Sequence, residues 1–258
     1  MHDMKFAVLG SGSGGNATLA QHADTTLMVD AGLSARQLLK RAQELGSEVF
    51  HGILITHEHG DHIKGLKTLL KKHDIPIYTT SATAHVLREL GIEGRWHTFH
   101  AGQSFRIGSL LVETFAIQHD AVDPVGYVLR SEEKSLGLIS DAGKVTHDVT
   151  QRLQGMNGLY LEANYDDDLL AADTKRPWTI KQRISSNHGH LSNRQAAELL
   201  ENISHDALKH VVLGHLSSDC NCSDIATKTM RRVLQNKGLG EVSVSCATQD
   251  KPCGWWQL

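Results

Sequence analysis

Short aliphatic runs of strand length alternate with capped helical stretches from one end of this chain to the other. Strands that must be covered by helices build layered α/β domains, so the alternation leaves few architectures open. Ten runs read as strands, at residues 5–11, 25–32, 51–57, 76–80, 110–119, 124–131, 136–143, 158–164, 210–217 and 242–248. Most are rich in Val, Ile, Leu and Thr, with turn residues between them. Helices open at Ser34, Ser81, Ser192 and Ser223, and Gly46, Gly91 and Gly238 stop three of them. Ser192 with Gln195 predicts a capping box. Residues 63, 66, 69 and 70 are apolar and form one helical stripe. No linker or low-complexity block interrupts the 258 residues, which predicts a single domain over 1–258. The stretch 166–191 lacks a period, is basic in its second half, and reads as a long functional loop.

Aromatic residues are 5% of a chain that is 40% hydrophobic, so the core should be aliphatic. No apolar run reaches membrane-spanning length, and the start lacks the pattern of a signal peptide; a cytoplasmic protein without a membrane partner is expected. In that compartment Cys220, Cys222, Cys246 and Cys253 should be reduced thiols. A net charge of −3 argues against an extended basic coat for nucleic acid but leaves room for a local basic patch. The outlier is the count of seventeen histidines.

Several stand where strands end. Apolar runs finish on His57, His119, Asp141, Glu162 and His215, and sites in layered α/β proteins form at strand ends. Residues 57–62 read H-x-H-x-D-H. In extended backbone His57 and His59 point to one side, while Asp61 and His62 follow on a turn into a helix. One segment can thus serve two adjacent ions. His57, His59 and His119 with a shared carboxylate at Asp141 would complete one set; Asp61, His62, His215 and Asp141 would complete the other. These nitrogen and oxygen donors suit two divalent ions, Zn, Mn or Fe(II). By spacing alone His97 and His100 compete with His119.

With these motifs in view, the chain resembles the metallo-β-lactamase fold, and more narrowly its YycJ/WalJ-type branch of bacterial metal-dependent hydrolases. The resemblance rests on LGSGSGGNATL (9–19), LITHEHGDHIKG (54–65), HDAVDPVGYVL (119–129), SDAGKV (140–145), LEANYD (161–166), GHLSN (189–193), VLGHLS (212–217) and QDKPCGWWQL (249–258). It implies a four-layer αβ/βα sandwich of two mixed β-sheets flanked by helices. It also implies His119 rather than His97, Asp141 as the bridging aspartate, and His215 as the last ligand. The branch often carries His at the place of Tyr165 and Arg at that of His188.

Two such ions activate water and stabilise an anionic transition state, through a hydroxide bridging them. The donor set has no thiolate, and basic residues cluster at Lys64, Lys67, Lys71 and Lys72 and at Lys175, Arg176, Lys181, Arg183 and Arg194. Both favour phosphodiesters, and the resemblance implies a nuclease acting on DNA, a 5′→3′ exonuclease. Asp61, His190 and His188 are the candidate catalytic residues, with His190 the first choice to protonate the leaving oxygen. Ser11, Ser13, Asn16, Asn164, Ser192 and Asn193 are candidate substrate contacts. For the glycine-rich loop, a tight polar turn between strands is the plainer reading. A thioester or lactone hydrolase of the glyoxalase II type is the alternative. A di-iron redox protein on the same fold is the second, disfavoured by His59 and by the lack of a flavin module.

Overall fold

Aliphatic strands buried on both faces need helices over them, and the computed structural model, which describes residues 3–258, has that organisation. Residues 1 and 2, part of the start read above for a signal peptide, lie outside the described residues. The chain divides into two compact units. The first runs to Ala116 and adds Ala121–Glu133 and Thr248–Leu258; the second comprises Ile117–Asp120 and Lys134–Ala247.

The first unit contains β1 (Lys5–Gly10), β2 (Ala17–His22), β3 (Thr25–Val29), α1 (Ala35–Glu44), β4 (Gly52–Leu54), α2 (Gly60–Ile63), α3 (Leu66–Leu70), β5 (Ile77–Thr80), α4 (Ser81–Glu89), β6 (Trp96–Phe99), β7 (Ser104–Ile107), β8 (Leu110–Ala116) and β9 (Val125–Arg130). Strands β1 to β3 form an antiparallel meander, and β3 to β6 continue the sheet in parallel. Ser34 and Gln37 cap α1 reciprocally, and Leu38 and Ala42 face a core of Leu9, Leu19, Met28, Ile53, Leu66 and Leu69. Strands β7 to β9 are antiparallel.

The second unit contains β10 (Ser135–Ile139), α5 (His147–Arg152), β11 (Gly158–Glu162), α6 (Asp167–Ala172), α7 (Trp178–Ile184), α8 (Asn193–Ile203), β12 (His210–Gly214), α9 (Ser223–Asn236) and β13 (Ser243–Cys246). Its four strands are parallel. The last strand of the chain, β14 (Trp256–Gln257), pairs with β1 in the first unit, where Trp256 stacks on Phe6 at 5.1 Å. Two mixed sheets of seven strands result: β1–β6 with β14, and β7–β9 with β10–β13.

All ten expected strands are present, each shorter than its apolar run. The difference is instructive at β3, β10 and β12. Beyond their ends the backbone turns left-handed at Asp30 (φ 61°), Asp141 (φ 55°) and His215 (φ 54°). Such a turn costs a non-glycine residue about 1–2 kcal/mol, and here it swings a polar side chain off the strand end. Strands β2, β6, β7 and β14 were not apparent in the sequence, because they are short and carry polar residues. Ser192 caps α8 as predicted, with its capping box. The caps of α4 and α9 fall one residue earlier, at Thr80 and Cys222.

The stretch 166–191 departs from expectation. Half of it is helical: Asp166 caps α6 by accepting from the N–H groups of Asp168 and Leu169, and Pro177 precedes α7. Its lack of period has a physical reason. Each helix is too short to show one, and α7 buries none of its residues.

Candidate functional site

In the first unit the H-x-H-x-D-H segment leaves β4 and enters α2. His57 and His62 are fully buried, and their rings lie 4.2 Å apart between centroids; His59 stands at 4.6 Å from His57, edge to face. What fixes these rings is Asp30, the residue after β3. Its carboxylate accepts from the Thr56 N–H at 2.9 Å, from the Thr56 hydroxyl at 2.9 and 3.0 Å, and from His62 Nδ1 at 2.7 Å. Because the Thr56 hydroxyl donates to Asp30, its oxygen accepts from His57 Nδ1 at 2.9 Å. Both imidazoles therefore carry the proton on Nδ1 and the lone pair on Nε2. Metal-binding histidines are held in this way, the outer nitrogen on an acceptor and the inner one presented.

The glycine-rich turn between β1 and β2 serves the same segment. Asn16 is buried; its N–H donates to the Asp61 carbonyl at 2.8 Å, and its side chain reaches the Gly12 carbonyl, Asp61 Oδ2 and His62 Nε2 at 3.1–3.3 Å. Gly32 lies so close that a Cβ there would meet the Asp61 carbonyl oxygen at 1.7 Å. Ser11 is also buried, with its N–H on the Thr248 carbonyl, while Ser13 is exposed. Glu58 points elsewhere: Oε1 accepts from the Val122 N–H at 2.8 Å.

The second unit gathers Asp141, Glu162, His190 and His215, with ligand atoms within 4.8 Å of one another. Glu162, at the end of β11, is fully buried. One of its oxygens accepts from the N–H groups of Ala142 (2.9 Å) and Leu191 (3.1 Å). The other accepts from His190 Nδ1 (2.8 Å) and His215 Nδ1 (3.1 Å). Burial pushes the Glu162 carboxyl up, but the His190 charge and the hydrogen bonds from both histidines outweigh it and hold it below its ordinary value. For His190 burial acts downward, and Glu162 more than offsets it. His119 gives Nδ1–H to the Gly189 carbonyl at 2.9 Å, and burial lowers its pKa, which favours the neutral ring. Ser140 donates to Asp141 Oδ2 at 2.7 Å.

The remaining expected contacts are woven into this frame. Asn164 donates to the His215 carbonyl at 2.7 Å. Ser192 is the fully buried cap of α8. Asn193 exchanges two 3.0 Å hydrogen bonds with Asn221, which also holds the Ala163 carbonyl. The odd Cys-Asn-Cys triplet thus has its polar role at Asn221, while Cys220 packs against Tyr165 and Leu170. Among the described residues no disulfide joins the four cysteines. His188 is exposed and belongs to none of the ligand groups. The basic residues of 166–191 are engaged internally: Lys175 with Asp219, Arg176 with Asp173 and Asp219, Arg183 with Asp120, and Lys181 with the Ala171 carbonyl. Two residues carry more of the frame than their sequence context announced. Asp30 and Glu162 both end aliphatic strands, and Glu162 shared the strand-end pattern without a role attached to it.

Imidazoles presented through Nε2 beside buried carboxylates define a metal-site protein of α/β type. The beta-lactamase superfamily domain matches residues 25–216, and the chain belongs to that superfamily. It is 37% identical to exodeoxyribonuclease YycJ of Bacillus anthracis over 243 residues, covering 92% of this chain and 91% of that one. To exodeoxyribonuclease WalJ of Streptococcus pneumoniae it is 34% identical, covering 92% and 90%. Among solved structures, the metallo-β-lactamase fold protein YhfI from Bacillus subtilis matches with a TM-score of 0.75 at 18% identity over the whole of both chains. Among the described residues no helix is long and apolar enough to cross a membrane.

Proposed function

We propose that this chain is a cytoplasmic exodeoxyribonuclease that works with two divalent ions, Zn, Mn or Fe, and that both units act as one catalytic domain. The observation that carries the reading is 34–37% identity, over 92% of the chain, to proteins named exodeoxyribonucleases. The donor chemistry supports it, since His57, His62, His119 and His215 each have Nδ1 held by a hydrogen-bonding neighbour. His57, His59 and His119 would hold one ion, Asp61, His62 and His215 the other, with Asp141 shared. Bound there, the ions would lower the pKa of a water and offset charge gathering on phosphorus.

The chain's own residues do the rest. Asp30 and Thr56 keep the imidazole lone pairs directed inward. Glu162 holds His190 by Nδ1, so the proton on Nε2 is the one His190 delivers to the departing oxygen. His188 is the second candidate for that proton. Ser13 is the exposed member of the six candidate contacts; Ser11, Asn16, Asn164, Ser192 and Asn193 keep the frame in place.

The test is a panel of end-labelled duplex DNA, single-stranded DNA, RNA and a thioester, with Mn²⁺ or Zn²⁺. Release of nucleotides from DNA is expected. Turnover of the thioester alone would overturn the reading in favour of the glyoxalase II type. His190→Ala should slow DNA cleavage by roughly 10²–10⁴ with metal content unchanged, and a substrate with a good leaving group should recover the rate.

A further inference from the structure

Ion pairs engage Lys175, Arg176 and Arg183 of the stretch 166–191, and among its four basic residues only Lys181, on the Ala171 carbonyl, has no acidic partner among the described residues. A strand of DNA must then find cations elsewhere, and the first unit offers a pair. A cavity of about 480 Å³ is lined by Ser13, Asp61, Lys64, Lys67, Leu90 and Ile92, among others. Lys64 and Lys67 are three residues apart across the junction of α2 and α3, a spacing that puts both on one face. Lys64 has no ion-pair partner among the described residues. Lys67 gives one proton to the Leu90 carbonyl at 3.1 Å, at the C-terminus of α4, and retains two others. That bond tethers an exposed ammonium that would otherwise swing freely. Ile92 is buried and Leu90 is 53% exposed, so the cavity carries apolar surface beside its two lysines.

We infer that this cavity seats one nucleotide of the strand, next to the phosphate that is cut. A backbone phosphate lies on Lys64 and Lys67, with the Ser13 hydroxyl as a further donor, and sugar and base edge cover Leu90 and Ile92. A phosphate needs adjacent cations, a sugar–base face needs apolar cover, and the volume falls within the range of small-ligand pockets. The inference rests on the nuclease reading for its ligand and deepens it by placing one nucleotide.

The experiment measures binding, so it does not depend on turnover. A fluorescein-labelled single strand with phosphorothioate linkages is titrated into the full chain by anisotropy at several salt concentrations. Lys64→Gln and Lys67→Gln should each lower the slope of log affinity against log salt by about 0.7, and the double variant by roughly 1.4. Leu90→Ser should weaken binding with the slope unchanged. Lys228→Gln, which removes an exposed cation of α9, should change neither quantity. Unaltered affinity and slope in the double variant would overturn the inference, whatever the nuclease activity. Conversely, if the wild type cuts no DNA while the double variant still loses the strand, the nucleotide seat stands and the nuclease reading falls.

Discussion

Replacing Asp30 by Asn changes one buried atom and should disable His62, the proposed metal ligand to which it is hydrogen-bonded. The carboxylate takes Thr56 N–H on one oxygen and His62 Nδ1–H on the other, at 2.9 and 2.7 Å. An asparagine of the same shape can keep its carbonyl on Thr56, but its NH₂ then faces His62 Nδ1. To avoid two opposed donors the imidazole must move its proton to Nε2, and a protonated Nε2 has no lone pair for a cation. Loss of such an outer partner weakens metal binding by roughly 10–100-fold, about 1.4–2.7 kcal/mol. Isothermal titration with Mn²⁺ should show one of two equivalents weakened by that factor, the other retained. Asp30→Ala is the harsher form, because Thr56 N–H, the Thr56 hydroxyl and His62 Nδ1 all lose their acceptor in a buried place. At about 1 kcal/mol or more for each, stability should fall by at least about 3 kcal/mol in a urea titration of the metal-depleted protein. If Asp30→Asn binds both equivalents at wild-type affinity, Asp30 does not set the His62 tautomer and the reasoning is refuted.

Glu162→Gln should act on two histidines at once: metal binding weakened by roughly 10–100-fold through His215, and DNA cleavage reduced beyond the loss of metal, seen at saturating Mn²⁺. Charge reversal of Arg176 and Arg183 together should depress the melting temperature, because it sets new acids against Asp173, Asp219 and Asp120, and a variant as heat-stable as the wild type would remove those pairs from the account. The Tyr165 phenol, pushed up to about 12 by burial and Asp167, ionises late. The neutral phenol favours the folded state, so its contribution is fully present below pH 10 and is lost as pH rises toward 12. Ultraviolet titration of Tyr165→Phe should lack one of the late tyrosinate steps of the wild type.

The α/β class, the ten aliphatic strands and the H-x-H-x-D-H segment were legible in the linear sequence because each is a local property. Strand period, cap chemistry and ligand spacing all act over a few residues. His119, Asp141 and His215 were legible as polar residues at strand ends, though resemblance to known proteins was needed to prefer His119 over His97. Local pattern failed where partners are distant in the chain. Asp30 and His62 are thirty-two positions apart, and Glu162 and His190 twenty-eight, so no window of sequence shows that they share a proton. The basic residues of 166–191 looked like a path for nucleic acid because charge can be counted in a sequence, whereas cancellation cannot. Arg183 meets Asp120 across sixty-three residues, and Arg176 meets Asp219 across forty-three. Composition determined how many charges the chain carries; the fold decided which of them are paired, because only folding brings an acid within hydrogen-bonding distance of a base far away in the chain.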